Sequence, residues 1–229
     1  MIRIRAFRAP EDEETCLKFL EGHKRLLEIH FGIAKITSSN SDWISNPNVI
    51  VVVAEDEKGE KIFGGSRVQV ADGILPLPIE TAIGHYDPKI YQLAVPGSCE
   101  LGGMWNSIEV QGMGIGGIFL GRVCVVVASQ LPVHTMLFLC APVTTRMVRR
   151  VGGVLASQLG DNGTFYYPKE DFIATAMIHT DLEKLSLADP TEREIMLSLR
   201  ENLHQIRMEN GPKGPLEIQY QLELSKLRQ

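Results

Sequence analysis

The spacing of apolar residues changes several times along the chain, and each pattern predicts a different element. Residues 2–8 alternate apolar and polar side chains, as in a half-buried strand. A cluster of acidic residues then precedes leucines at helical spacing, which is typical of a helix N-terminus. Apolar runs at 49–54 and 61–71, separated by a polar turn, predict a β-hairpin with a bulge at Gly64-Gly65.

The middle of the chain predicts a long loop followed by a strand–loop–helix unit. Residues 72–97 are rich in proline and glycine, and long loops in compact domains often have a function. A strand is predicted over 98–107, and it runs into a glycine-rich segment. The apolar residues beyond predict a helix over 115–131, which Pro132 ends. The other predicted elements of this region are strands at 134–141, 154–158 and 172–178 and a helix at 143–151.

The pattern becomes helical again in the last part of the chain. From Asp181 onward, leucine and isoleucine recur among charges at helical spacing. A long helix is predicted from Pro190 to Asn210, and a last helix over 215–227. The apolar stripe needs burial, either on the chain's own sheet or against a second subunit, and we expect a homodimer. We divide the chain into a domain at 1–180 and a helical C-terminal extension at 181–229.

The order of these elements predicts an α/β fold. Strands joined by short turns are antiparallel and the strand–helix–strand unit is parallel, so we expect a mixed, mostly antiparallel sheet flanked by helices. The 229 residues are 44% hydrophobic and 22% charged, which is ordinary for a soluble protein. The net charge of −5 argues against a nucleic-acid partner.

The cysteines and the apolar segments bear on location and on metals. The four cysteines are scattered without a CxxC pair, which fits a reduced, cytoplasmic protein without structural zinc. The N-terminus lacks the apolar region of a signal peptide. Polar residues and a proline interrupt the apolar stretch 113–142, so we expect it in the core and not in a membrane. His23 and His30 have no third ligand nearby, so no metal is expected.

The glycine-rich segment predicts a site for a phosphorylated ligand. Its sequence is Gln111-Gly112-Met113-Gly114-Ile115-Gly116-Gly117. Glycine lets the backbone approach a ligand closely, and the N–H groups that begin the next helix attract anions. A P-loop would need lysine after the last glycine, where the chain has Ile118. A dinucleotide fingerprint would need an acidic residue about 20 positions on, and residues 130–133 contain none.

In this context the segment Gln111-x-x-Gly114-x-Gly116 resembles the signature of the GCN5-related N-acetyltransferase superfamily (GNAT), whose members are acyl-CoA-dependent acyltransferases. The resemblance covers about residues 2–178. It implies that loop amides hold the pyrophosphate of acetyl-CoA or another acyl-CoA, and that a strand backbone pairs with the pantetheine arm. The implied donor-binding residues are Met104, Trp105, Asn106, Gln111, Gly112, Met113, Gly114, Ile115, Gly116 and Gly117. The side chains of Met104 and Trp105 are expected in the core.

The sequence indicates the catalytic residues less directly than it indicates the donor-binding residues. Glu100 lies on the strand before the loop, where burial would raise its pKa and suit it to act as a base. The equally weighted alternative is that Glu100 is a structural carboxylate, hydrogen-bonded within the sheet. By alternation, Glu100 and Trp105 are expected on opposite faces of the sheet. Val148 stands where the family has a general-acid tyrosine, and valine has no proton to donate.

The missing tyrosine leaves several alternatives open. The thiolate that coenzyme A becomes after acyl transfer would take its proton from His134, Tyr166, Tyr167 or water. Otherwise the chain is not an ordinary acetyltransferase. The layout of Gly65-Ser66-Arg67-Val68 and Cys99-Glu100-Leu101 also resembles the acyl-homoserine-lactone synthases. There Arg67, Glu100 and Trp43 match functional positions, although Arg67 is equally interpreted as a solvated or salt-bridged strand charge. Gly103 replaces an expected arginine, and Glu55 and Asp56 match an acidic pair only loosely.

Three functions follow from these patterns. The first is acyl transfer, above all acetyl transfer, from coenzyme A to a small-molecule amine. The second is a non-catalytic protein of the same fold that binds or senses acyl-CoA, which Val148 and the long tail favour. The third is a signal synthase of the acyl-homoserine-lactone type. The acceptor's pocket is expected to involve segments 30–47 and 72–97.

Overall fold

The computed structural model describes residues 1–33 and 36–226, which form one ten-stranded sheet and five α-helices. The strands are β1 Ile2–Arg8, β2 Val49–Asp56, β3 Ile62–Val70, β4 Ser98–Asn106, β5 Thr135–Cys140, β6 Val154–Leu155, β7 Thr164–Tyr166, β8 Ile173–His179, β9 His204–Gly211 and β10 Gly214–Gln221. The helices are α1 Glu13–Phe31, α2 Pro78–Ile83, α3 Leu120–Ala128, α4 Pro142–Arg150 and α5 Pro190–Glu201. Side chains of His30 and Phe31 lie outside the described part, as do residues 34 and 35 of the expected pocket segment and residues 227–229.

The sheet is mixed and mostly antiparallel, as predicted. Its strand order is β6-β8-β5-β4-β3-β2-β1-β10-β9, with β7 paired to β8. The pairs β4–β5 and β1–β10 are parallel, and the other pairs are antiparallel. The helix α3 connects β4 to β5, which is why that pair is parallel. This arrangement confirms the predicted fold class.

Each face of the sheet packs against its own helices. On one face, Cys99 and Leu101 of β4 contact the almost entirely apolar helix α3. On the other face, Phe19 of α1 packs with Trp43 and Trp105. The predicted acidic start of α1 is also confirmed, because Asp12 accepts a hydrogen bond from the Thr15 amide at 3.0 Å.

A bulge in β4 overturns one expectation about the two faces. In the β3–β4 register Arg67 pairs with Gly102, but Gly65 pairs with Trp105, so β4 holds one residue more than β3. The extra residue reverses the alternation beyond Gly103, whose φ is 65°. Glu100 and Trp105 therefore lie on the same face, the one covered by α1, and the predicted opposite placement was wrong.

The last part of the chain also differs from the prediction. A helix does form at Pro190–Glu201, but His204–Gly211 and Gly214–Gln221 form a β-hairpin. The predicted helix over 215–227 was wrong, because β10 pairs with β1 and buries Ile218 completely. Two smaller corrections concern the loop 72–97, which contains α2, and the predicted helix 115–131, whose regular part is Leu120–Ala128.

Candidate active site

A cavity opens where β4 and β5 separate. The two strands are paired from Ser98 and Thr135 only as far as Leu101 and Phe138, and the bulge then turns β4 away. The space between them is a cavity of about 150 Å³. Side chains from α1, α4 and the β7–β8 connection complete its wall. Such a split between parallel strands gives a ligand access to the middle of the sheet.

The glycine loop follows β4 and needs glycine at several positions. Gly112 and Gly114 have φ values of 78° and 91°, which L-residues with a Cβ rarely adopt. At Gly116 a Cβ would lie 2.0 Å from Oδ1 of Asn106. A wide turn over Ile115–Phe119 then leads into α3. The loop therefore presents backbone, and not side chains, at the N-terminal end of the helix, where anions bind.

An open groove of about 570 Å³ runs along this loop. It is lined by Asn106, Val110, Gly112, Gly114, Gly116, Gly117, Ile118, Val143, Arg146, Met147, Arg150, Asn210, Gly211 and Pro212. Met147 of α4 lines both the groove and the cavity, so the two spaces border the same side chain. An elongated ligand with a charged end and an apolar end fits such a pair of spaces.

Glu100 lies in the wall of the cavity and is 4% exposed. Burial raises the pKa of Glu100 from its ordinary value of 4.5 to about 8, against the opposing effects of the Ile79 amide and of Arg67. The Ile79 amide donates to Oε2 of Glu100 at 2.8 Å. A carboxyl group with such a pKa exchanges protons near neutral pH, as a general base must.

Arg67 lies beside Glu100 in a largely apolar setting. Its guanidinium carbon is 4.7 Å from the centre of the Trp43 ring, and burial lowers the pKa of Arg67 to about 10 while Glu100 raises it. Within residues 1–33 and 36–226, Nε and Nη1 of Arg67 have no hydrogen-bond partner. His23 of α1 lines the cavity nearby, and burial, together with Arg67, lowers its pKa to about 4. His23 is therefore neutral at pH 7, and Arg67 is charged.

Of the groups considered as proton donors to a thiolate, Tyr167 alone among the described residues reaches the cavity. Its hydroxyl accepts a hydrogen bond from the Thr37 amide at 3.0 Å and lies 2.9 Å from Thr37 Oγ1. Burial raises the pKa of Tyr167, so the phenol keeps its proton at neutral pH. Tyr166 is 63% exposed, and His134 bonds to Thr135 at the start of β5.

The predicted donor-binding residues do not all lie in the groove. Five of them line the groove: Asn106, Gly112, Gly114, Gly116 and Gly117. Met104 lines the cavity. Trp105 and Ile115 are buried in the core, and Gln111 is exposed. Met113 is partly buried and packs against the main core.

The loosely matched acidic pair has structural contacts. Glu55 is fully buried and accepts hydrogen bonds from Nε of Arg3 at 2.9 Å and Nε of Arg5 at 2.7 Å. Asp56 accepts from the amide of Glu60 in the β2–β3 turn. These two carboxylates fix β1 and the hairpin turn, and neither lines the groove or the cavity.

Sequence reasoning missed two groups of the site. Arg146 and Arg150 stand one helical turn apart on α4 and line the groove, a spacing that is visible in the sequence. The hairpin turn at Asn210–Pro212 reaches the groove from a distant part of the chain, and no local pattern reports that contact.

Two kinds of feature are absent from the described residues. No helix combines the length and the apolar character needed to cross a bilayer. In the same residues, no group of three or more His, Cys, Asp or Glu side chains is placed to hold a metal ion.

No protein-family model and no curated protein sequence matches this chain. Solved structures are similar in fold. MesI, a CoA-dependent acyl-homoserine lactone synthase, is 18% identical with a TM-score of 0.53, covering 87% of this chain and 95% of that one. FeeM, an N-acyl amino acid synthase from uncultured soil microbes, is 13% identical with a TM-score of 0.60, covering 82% and 95%.

A third similar structure is BjaI, a CoA-dependent acyl-homoserine lactone synthase solved with SAM and isopentyl-CoA. It is 10% identical with a TM-score of 0.59, covering 100% of this chain and 96% of that one. These similarities confirm the predicted fold: the chain has the GNAT-like fold that it shares with these three structures.

Proposed function

We propose that this protein is an acyltransferase that moves an acyl group from coenzyme A to the amine of a small acceptor. The observation that carries the proposal is that Met147 lines both the groove along the glycine loop and the cavity that Glu100 lines. The groove suits the pyrophosphate, and the cavity suits the thioester. The acyl-CoA chemistry of the structurally similar synthases supports the same donor.

In the proposed reaction the residues of the cavity move protons. The ammonium group of the acceptor first loses one proton to solvent, and the neutral nitrogen then bonds to the thioester carbonyl carbon as the carbon–sulfur bond breaks. Glu100 takes the proton that the nitrogen loses, which its raised pKa favours. The leaving sulfur takes a proton from the phenol of Tyr167, and solvent returns both residues to their starting states. Tyr167 thus takes the role of the general-acid tyrosine, whose usual position in the family is occupied here by Val148.

The acceptor is proposed to carry a carboxylate beside its amine. Arg67 is a buried cation behind the wall of the cavity, and its fully covered Nε and Nη1 have no partner among the described residues. Buried charged groups are normally paired, so an acceptor carboxylate that displaces the cavity wall covering these donors would complete the site. Glu100 lies next to Arg67 and would face the amine. An α-amino acid has this arrangement of charges.

The test begins with binding and continues with turnover. Calorimetric titration with CoA, acetyl-CoA and a long-chain acyl-CoA should give saturable binding, and no binding of any of them at about 1 mM would refute the proposal. Thiol release is then measured with α-amino acids and with the matching decarboxylated amines. We expect release with the amino acids and little with the amines. Binding without release across both panels would favour an acyl-CoA sensor.

A second candidate is a signal synthase of the acyl-homoserine-lactone type. The stacking of Arg67 on Trp43 beside Glu100 favours it, because these residues match the positions on which that resemblance rests. The test offers SAM as the acceptor, and mass spectrometry looks for an acylated lactone. An acyl amino acid formed without any lactone would separate the two candidates.

A further inference from the structure

The turn between β9 and β10 lies directly against the glycine loop. A Cβ on Gly211 would lie 2.1 Å from the carbonyl oxygen of Met113, so only glycine permits this approach. On Gly112, a Cβ would lie 2.9 Å from Cε of Lys213. The C-terminal hairpin thus forms one wall of the groove and places the Lys213 side chain beside the loop.

Basic side chains stand on both sides of the groove. Arg146 and Arg150 of α4 line one side, and Lys213 lies on the hairpin side. Arg150 is paired with the buried carboxylate of Glu192, whereas Arg146 and Lys213 are exposed and have no ion-pair partner in the described ranges 1–33 and 36–226. Among the described residues no carboxylate lines the groove.

We infer that Lys213 and Arg146 bind the 3′-phosphate of the donor, an inference that rests on the proposed use of coenzyme A. The loop amides serve the pyrophosphate, and the 3′-phosphate sits on the ribose beyond it. A phosphate monoester carries about two negative charges at neutral pH, which exposed cations neutralise better than amides do. A phosphopantetheine arm on a carrier protein lacks this group, so the contact selects free coenzyme A.

The experiment compares CoA with dephospho-CoA, which differ only in the 3′-phosphate. Calorimetric titration at low salt should show the wild type binding CoA about tenfold more tightly than dephospho-CoA. Lys213→Ala and Arg146→Ala should each weaken CoA binding several-fold and leave dephospho-CoA binding unchanged. Lys213→Arg should keep the preference. Lys184→Ala is the matched control, because that lysine lies in the loop between β8 and α5, away from the groove.

The outcomes separate this inference from the proposed function. If the wild type binds neither ligand, both fail. If it binds both ligands equally, or if Lys213→Ala weakens both equally, the donor site stands but the 3′-phosphate assignment is overturned. Thermal unfolding of each variant is measured alongside, and an unchanged melting temperature is expected because both cations are exposed.

Discussion

Arg67 stacks on Trp43, with 4.7 Å between the guanidinium carbon and the ring centre, and each residue is 1% exposed. The ring replaces part of the hydration that the cation loses on burial. Two guanidinium nitrogens, Nε and Nη1, nevertheless lack partners in the described structure. A cation in such a setting contributes little to stability, and the proposed function gives it the role of pairing with an acceptor carboxylate.

Replacement of this cation should separate stability from activity. We expect Arg67→Met to leave the melting temperature unchanged or higher, because an apolar side chain of similar length removes a desolvated charge. The preference for amino acids over their decarboxylated amines should be lost in thiol-release assays. Arg67→Lys is the control that keeps the charge without the planar stack. A clear fall in the melting temperature of Arg67→Met would contradict this assignment.

The raised pKa of Glu100 predicts a specific dependence of stability on pH. Burial raises that pKa from 4.5 to about 8, so between these values the folded protein holds a proton that the unfolded chain has released. The stability from this group is full below the lower value and is lost as pH rises through the upper one. Relative to wild type, Glu100→Gln should gain up to about 1.4 kcal/mol per pH unit across that window in urea unfolding.

The same group should shape the pH dependence of turnover. Because the base form of Glu100 is the active one in the proposed reaction, kcat/KM should rise with pH and level off above about 8. Glu100→Gln should lower kcat/KM by about a hundredfold and remove this rise. A rise that persists in the variant would show that another group is the base.

Tyr167 is predicted to donate the proton that the leaving thiolate takes. Tyr167→Phe should lower kcat by about a hundredfold with little change in KM for the acyl-CoA. Thr37→Val is the matched control, because it removes the Oγ1 contact at 2.9 Å and keeps both the phenol and the Thr37 amide. Equal losses in the two variants would mean that the contact itself, and not the proton, matters.

The fold was largely predictable because its strands and helices have strong periodic patterns, but the C-terminal hairpin was misread. Leu216, Ile218 and Tyr220 alternate with polar residues, a period of two that predicts a strand, and the last two are buried. The prediction of a helix over 215–227 does not use this alternation. Only the pairing with β1 decides between a strand and a helix here, and the two paired strands lie near opposite ends of the chain.

The site was predictable where it depends on local sequence and unpredictable where it depends on distant contacts. The glycine loop and Glu100 were identified from residue type and position. The bulge that puts Glu100 and Trp105 on one face is a register effect between β3 and β4, and no single segment shows it. Tyr167 and Lys213 reach the site from loops far along the chain.

The left-handed backbone of the glycine loop gives a further prediction. Gly114→Ala should destabilise the fold by about 1–2 kcal/mol, because φ is 91° and the new Cβ would lie 2.9 Å from the Phe119 ring. It should also weaken CoA binding by at least about tenfold. Gly73→Ala is the control, with φ of 74° and no atom within 4 Å of its Cβ. It should lose stability and keep its CoA affinity, so a loss of affinity there would undermine the assignment of the loop.

Arg122 of α3 connects the glycine-loop helix to the C-terminal segment. It donates to Glu192 of α5 and to Glu209 of β9, each at 2.8 Å, and all three side chains are at most 4% exposed. Arg122→Met should cost up to about 3–5 kcal/mol in urea unfolding, because the two buried carboxylates then keep only the more exposed Arg150 and Arg207 as cationic partners. Adding Glu192→Gln and Glu209→Gln should restore much of the stability, and a loss below about 1 kcal/mol in the single variant would show that the network contributes little.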